Sequence, residues 1–218
     1  MKKIFEGNKK WIEKTIANDP SFFNNLSQGQ NPEYLWIGCS DSRVPANEIV
    51  DLPPGSIFVQ RNIANQVGNT DMNLLSVVYY AVKYLKVKHI LVVGHYGCGG
   101  VLAAMSNNSF GFLDNWLVGI KNVYSKYQDQ LDAIDNIERR GDLLVELNVM
   151  EQVLNLAKIS FIQEEWKNGE FPQIHGLVYS LKDGVLKDLD SSISSMAKMR
   201  PVYHLNNEFF DKKTNEHK

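Results

Sequence analysis

Two short apolar runs in this chain end directly in side chains that bind metals. Tyr34-Leu35-Trp36-Ile37-Gly38 leads into Cys39-Ser40-Asp41-Ser42-Arg43, and His89-Ile90-Leu91-Val92-Val93-Gly94 leads into His95-Tyr96-Gly97-Cys98. Apolar runs of this length, bounded by polar loops, read as strands buried on both faces, as in a parallel sheet. Open α/β sheets place their ligands at the carboxyl ends of such strands. Both cysteines of the chain lie in these two loops.

The segments between the runs have helical period. Ile4, Phe5, Trp11, Ile12 and Ile16 predict an amphipathic helix over residues 3–17. Pro20 starts a second short helix to about Leu26, and residues 28–32 are a turn. Residues 56–60 are a strand after the Pro53-Pro54-Gly55 turn, and Asp71 opens a helix to Tyr84. Gly99-Gly100 opens a helix to Met105. Residues 112–136 read as helical, and residues 142–165 as one long helix with Leu144, Leu147 and Val153 inward. Residues 174–180 are a fourth strand, and Lys182-Asp183-Gly184 turns the chain into a fifth, 185–189.

Strands alternating with helices imply an α/β fold. The expected architecture is a mostly parallel central sheet, four parallel strands plus an antiparallel edge strand, flanked by helices with an N-terminal helical arm. No linker divides the chain, so residues 1–218 read as a single domain, with 1–30 as the arm and 206–218 as a frayed tail.

Composition excludes some functions. The chain is 44% hydrophobic with a net charge of −2, which gives no general affinity for nucleic acid or an anionic membrane. No apolar run approaches the ~18 residues of a membrane span. The N-terminus lacks the apolar stretch of a secretory signal. The expected location is cytoplasmic, where thiols serve as metal ligands or redox groups rather than disulfides.

Two thiolates and an imidazole favour Zn²⁺ among the common ions. Three protein ligands with a fourth position left open is the pattern of a catalytic zinc. Asp41 can reach the same ion or its water, and Arg43 can pair bidentately with Asp41. Gly97 and Gly99 suit a backbone bent around a metal. Taken singly, each cysteine reads more readily as a buried bystander, and a redox pair lacks the Cys-x-x-Cys spacing. Together, at two strand exits, they point to a metal.

Cys39-Ser40-Asp41-Ser42-Arg43, the Phe58–Asn65 block and His95-x-x-Cys98-Gly99-Gly100 resemble the β-class carbonic anhydrases over residues 3–203. The resemblance implies reversible hydration of CO2 to bicarbonate and a proton. It implies one zinc per subunit on Cys39, His95 and Cys98, with the zinc-bound hydroxide oriented by the Asp41–Arg43 dyad. It also implies a homodimer or a tetramer built as a dimer of dimers, with the N-terminal helix packing on a neighbour or on its own sheet. Gln30, Phe58, Tyr80 and Gly99 match the family's substrate pocket, which is shared between subunits. Phe58 and Tyr80 read equally well as core residues, and Gln30 as a turn residue.

The resemblance extends to a bacterial branch regulated by bicarbonate and pH, in which Trp36, Arg61 and Tyr179 match a non-catalytic bicarbonate site. In that branch Asp41 leaves Arg43 and becomes the fourth zinc ligand in the inactive state, so low pH and bicarbonate inhibit. The plainer alternative makes Trp36 and Tyr179 strand core residues and pairs Arg61 with a carboxylate. His89, His175, His204 and His217 are not expected to be ligands. Rival functions on the same residues are hydrolysis of carbon disulfide or carbonyl sulfide, and a purely structural zinc. A nucleotide module is weakest, because Gly97-Cys98-Gly99-Gly100 lacks the dinucleotide fingerprint.

Overall fold

The computed structural model describes residues 1–169 and 171–205. Along the chain come α1 (Lys2–Asn18), α2 (Phe22–Ser27), β1 (Tyr34–Cys39), α3 (Ala46–Ile49), β2 (Ile57–Asn62), α4 (Met72–Lys83), β3 (His89–His95) and α5 (Gly99–Ala104). There follow α6 (Leu113–Lys126), α7 (Gln128–Asp132), α8 (Ile137–Ala157), α9 (Ser160–Trp166), β4 (Gln173–Tyr179) and β5 (Leu186–Asp188). The strands form one sheet in the order β2-β1-β3-β4-β5. The first four are parallel, and β5 closes the edge antiparallel to β4.

This order decides where a site can form. The chain leaves β1 toward β2 on one side, then returns to place β3 on the other side of β1. The crevice beyond the carboxyl ends of β1 and β3 is therefore the topological switch point of the sheet. Cys39 is the last residue of β1 and His95 the last of β3. Leu35, Trp36 and Ile37 are fully buried, which explains why β1 reads as a continuous apolar run rather than an alternating one.

Helix α8 packs across β3 and β4 and also contacts α5 and α6. The long helix expected over 142–165 is two helices. Asn136 caps α8 earlier than expected, accepting the Arg139 amide at 2.9 Å. The helix stops at Lys158 because Ile159 is extended, and α9 begins one residue later. At Gly141, α8 passes close to α5, where a Cβ would meet the end of the Leu102 side chain. Asp71 caps α4 as expected, accepting from the amides of Asn73 and Leu74.

The arm is helical, and no residue of α1 is buried. Trp11 meets Phe22 and Phe23 edge to face, which ties α1 to α2. No described helix is long and apolar enough to cross a membrane. The tail over 206–218, with His217, lies outside the described residues.

Candidate metal centre

Three side chains from two strand ends converge. The Sγ atoms of Cys39 and Cys98 are 3.9 Å apart. With His95, the three candidate ligand atoms all lie within 4.8 Å of one another, and all three residues are buried. Two sulfurs on one tetrahedral zinc, each about 2.3 Å from it, stand roughly 3.8 Å apart, so the sulfur pair already has ligand spacing.

The imidazole is set for the same task. His95 Nδ1 lies 3.0 Å from the carbonyl of Tyr96. That bond puts the proton on Nδ1 and turns the Nε2 lone pair toward the sulfurs. Nε2 is buried and has no hydrogen-bond partner among the described residues. A buried polar atom left unpaired is costly, and a metal ion would satisfy it. The residues therefore fit a zinc ion.

The backbone between these ligands is bent at one glycine. Gly97 has φ +65, a left-handed conformation that side-chain-bearing residues adopt at a cost. Gly99, expected to share that bend, instead starts α5, and the space around its Cβ position is open.

The sulfurs do not titrate as ordinary thiols. The bond to Cys98, and then the contact with His95, hold Cys39 well below the usual thiol range despite its burial. The Cys39 sulfur, and then burial, push Cys98 up. Burial works against a charge on His95, but the Cys39 sulfur and the Tyr96 carbonyl raise its pKa.

Asp41 stands beside the cluster. Arg43 donates Nε to Oδ1 at 2.9 Å and Nη2 to Oδ2 at 2.7 Å, and its amide donates to Oδ1 at 2.9 Å. The Arg43 fork holds the Asp41 carboxyl far below the usual carboxylate range.

The other expected residues are placed as follows. The Phe58 and Tyr80 rings lie 5.8 Å apart. Gln30 lines a cavity of about 270 Å³ with Phe22, Leu26 and Pro54. Trp36 and Tyr179 share a small apolar cluster on one face of the sheet. Among the described residues the Arg61 guanidinium pairs with no carboxylate, unlike in the plainer alternative. Its Nε donates to the Cys39 carbonyl at 2.8 Å and its Nη2 to the Asp41 carbonyl. Backbone acceptors carry no sequence signal, so the pattern of side chains could not show this brace.

His89 and His175 are 3.1 Å apart, nitrogen to nitrogen, and Ser192 holds the far side of His175. His204 contacts the Met199 carbonyl. None of these three joins the cluster.

The carbonic anhydrase family pattern matches residues 34–186. A carbonic anhydrase of Emericella nidulans is 49% identical over 93% of this chain and 90% of that protein. A tetrameric β-carbonic anhydrase of Sordaria macrospora superposes with a TM-score of 0.84 at 38% identity, covering 87% of this chain and 96% of that one. The Coccomyxa β-carbonic anhydrase, solved with acetazolamide, gives a TM-score of 0.86 at 35% identity over 96% of each chain.

Proposed function

The chain belongs to the β-class carbonic anhydrases, and from that premise we propose that Cys39, His95 and Cys98 hold one zinc ion and that Asp41 and Arg43 serve the hydration of CO2 beside it. One observation carries this reading: three buried ligand atoms within 4.8 Å of one another at the switch point of the sheet. The overall reaction converts CO2 and water to bicarbonate and a proton. A zinc ion held there supplies a Lewis acid that brings the pKa of water from 15.7 to about 7.

The protein's own groups do the rest. The Tyr96 carbonyl fixes the imidazole of His95. Arg43 keeps Asp41 ionised and aimed. Asp41 accepts a hydrogen bond from the attacking water and so orients its lone pair toward CO2. A purely structural metal would need no such dyad. Gln30, Phe58, Tyr80 and Gly99 line the substrate pocket, with Gln30 reaching the site of a neighbouring subunit in a dimer or tetramer. The exposed apolar side chains of α1, among them Phe5 and Trp11, fit an arm that packs on that neighbour. The whole chain acts as one domain.

The same reading extends to regulation by bicarbonate. Trp36, Arg61 and Tyr179 form the anion site. Arg61 donates to the carbonyls of Cys39 and Asp41, so an anion that draws Arg61 away releases the loop carrying Asp41. Asp41, freed from Arg43, would then be available as a further ligand to a zinc ion held by Cys39, His95 and Cys98. The test is zinc stoichiometry together with CO2 hydration. One zinc per chain and zinc-dependent hydration support the proposal, and hydration that survives loss of the metal sinks it.

A further inference from the structure

A turn between β2 and α4 is held by side chains from three directions, and one of its amides touches the metal cluster. Ala64 and Asn65 sit there with φ 60 and 45, two consecutive left-handed residues without a glycine. Both are buried. Such a conformation persists only where the surroundings over-determine it.

The surroundings do so here. Asn62 and Gln66 close the turn, Asn62 Nδ2 donating to the Gln66 carbonyl and the Gln66 amide donating to Asn62 Oδ1, both at 2.8 Å. Trp116 Nε1 donates to the Ile63 carbonyl at 2.8 Å. The main support is a ladder of amides on α8. Asn148 Nδ2 donates to the Ala64 carbonyl at 3.0 Å. Gln152 Nε2 donates to Asn148 Oδ1 at 3.0 Å, and Gln152 Oε1 accepts the Val67 amide at 2.8 Å. Asn155 Nδ2 donates to both Gln152 Oε1 and the Val67 carbonyl. Asn148 and Gln152 are 1% and 3% exposed, so this ladder is a polar network inside the core.

A core helix has no need of such residues unless they hold something. What they hold ends at the metal cluster, because the Ala64 amide donates to Cys39 Sγ at 3.4 Å. We propose that Asn148 and Gln152 are positioning residues for the metal centre, keeping the Ala64 N–H on the Cys39 sulfur by fixing the opposite face of that peptide turn. An N–H bond to a ligand sulfur draws charge off it and fixes its direction. Partners of this kind, one step out from the metal, typically govern affinity by about 10–100-fold. The inference rests on the zinc reading of Cys39, His95 and Cys98.

The experiment uses the full chain, with zinc affinity measured by chelator competition and with cobalt substituted for zinc. Asn148→Ala and Gln152→Met are compared with Gln163→Ala, which removes a buried amide that bonds the carbonyls of Ala157 and Tyr203. The expected result is zinc affinity at least about tenfold weaker in the two ladder variants. Their sulfur-to-cobalt charge-transfer band moves to longer wavelength as the sulfur loses its donor. Gln163→Ala loses stability but keeps both values. Gln152→Met keeps the side-chain volume, so it reads the same question if Asn148→Ala does not fold. Wild-type affinity and band position in a folded ladder variant overturn the inference. A wild-type chain that takes up neither ion overturns the zinc reading, and this inference with it.

Discussion

The Oδ2 atom of Asp41 lies 3.6 Å from Nε2 of His95 while accepting Arg43 Nη2 at 2.7 Å. One carboxylate oxygen therefore stands between its arginine and the place where the three ligand atoms converge. Replacing its charge and keeping its shape isolates its role. Asp41→Asn is expected to keep one zinc per chain and to lower kcat/KM for CO2 hydration on the order of 100-fold, the usual cost of one misdirected polar group in an active site. Stopped-flow hydration beside metal analysis checks this, and a variant with wild-type kcat/KM would remove Asp41 from the mechanism.

On the zinc reading, Cys39 and Cys98 supply the two soft ligands. Cys98→Ser replaces a soft ligand with a hard one that stays protonated at neutral pH. The variant is expected to purify without stoichiometric zinc and without hydration activity. Exhaustive chelation of the wild-type protein gives the same loss, and added zinc restores it.

The strand exits that build the site were legible because their neighbours are plain. Val92 and Val93 are buried and lead directly to His95, so position along the sheet followed from composition. Trp36 lies buried in the strand that its apolar run predicts. Other parts carried no pattern. Ala64 and Asn65 are left-handed without glycine, and nothing in their identity announces it. Asn148 and Gln152 look like surface residues of a helix, yet they face the core because the turn beside them needs donors and acceptors. Arg61 bonds backbone carbonyls, which every residue has. The break at Ile159 interrupts a helical pattern that continues in sequence on both sides.

Arg61 is a poor site for testing bicarbonate regulation, because its removal also frees the carbonyls of Cys39 and Asp41. Tyr179→Phe is cleaner, since it removes one hydroxyl and keeps the ring in its apolar cluster. Bicarbonate inhibition of hydration is expected to weaken roughly tenfold or more while uninhibited turnover stays within about twofold, the effect of losing one hydrogen bond to an anion. Unchanged inhibition in Tyr179→Phe would argue against the anion site.

Stability has its own pH dependence, set far from the metal. Burial, followed by the neighbouring His89, lowers the pKa of His175. The unfolded chain takes up a proton near an ordinary histidine pKa of about 6.5, and the folded chain refuses it until a lower pH. Stability is therefore full above about 6.5 and falls as pH drops toward the folded value. Urea midpoints from about pH 7.5 down to 5 are expected to decline, and His175→Gln to flatten that decline. An equal slope in the variant would assign the loss to other groups.

Tyr96 joins the metal loop to α8 and β5. Its hydroxyl donates to Glu146 at 2.5 Å, and Lys187 holds the same carboxylate oxygen at 2.8 Å. Tyr96→Phe is expected to cost about 1.5–3 kcal/mol in chemical denaturation, the weight of one hydrogen bond to a charged acceptor, with zinc retained. A neutral result would mean that Lys187 alone satisfies Glu146.

The central claim is tested most directly by stopped-flow CO2 hydration on zinc-loaded protein, from about pH 6.5 to about 9, with and without added bicarbonate, next to the zinc-free protein. The account predicts hydration that needs the metal, rises steeply above neutral pH as the nucleophile loses its proton, and falls when bicarbonate is added. Zinc-loaded protein with no hydration at any pH would contradict it.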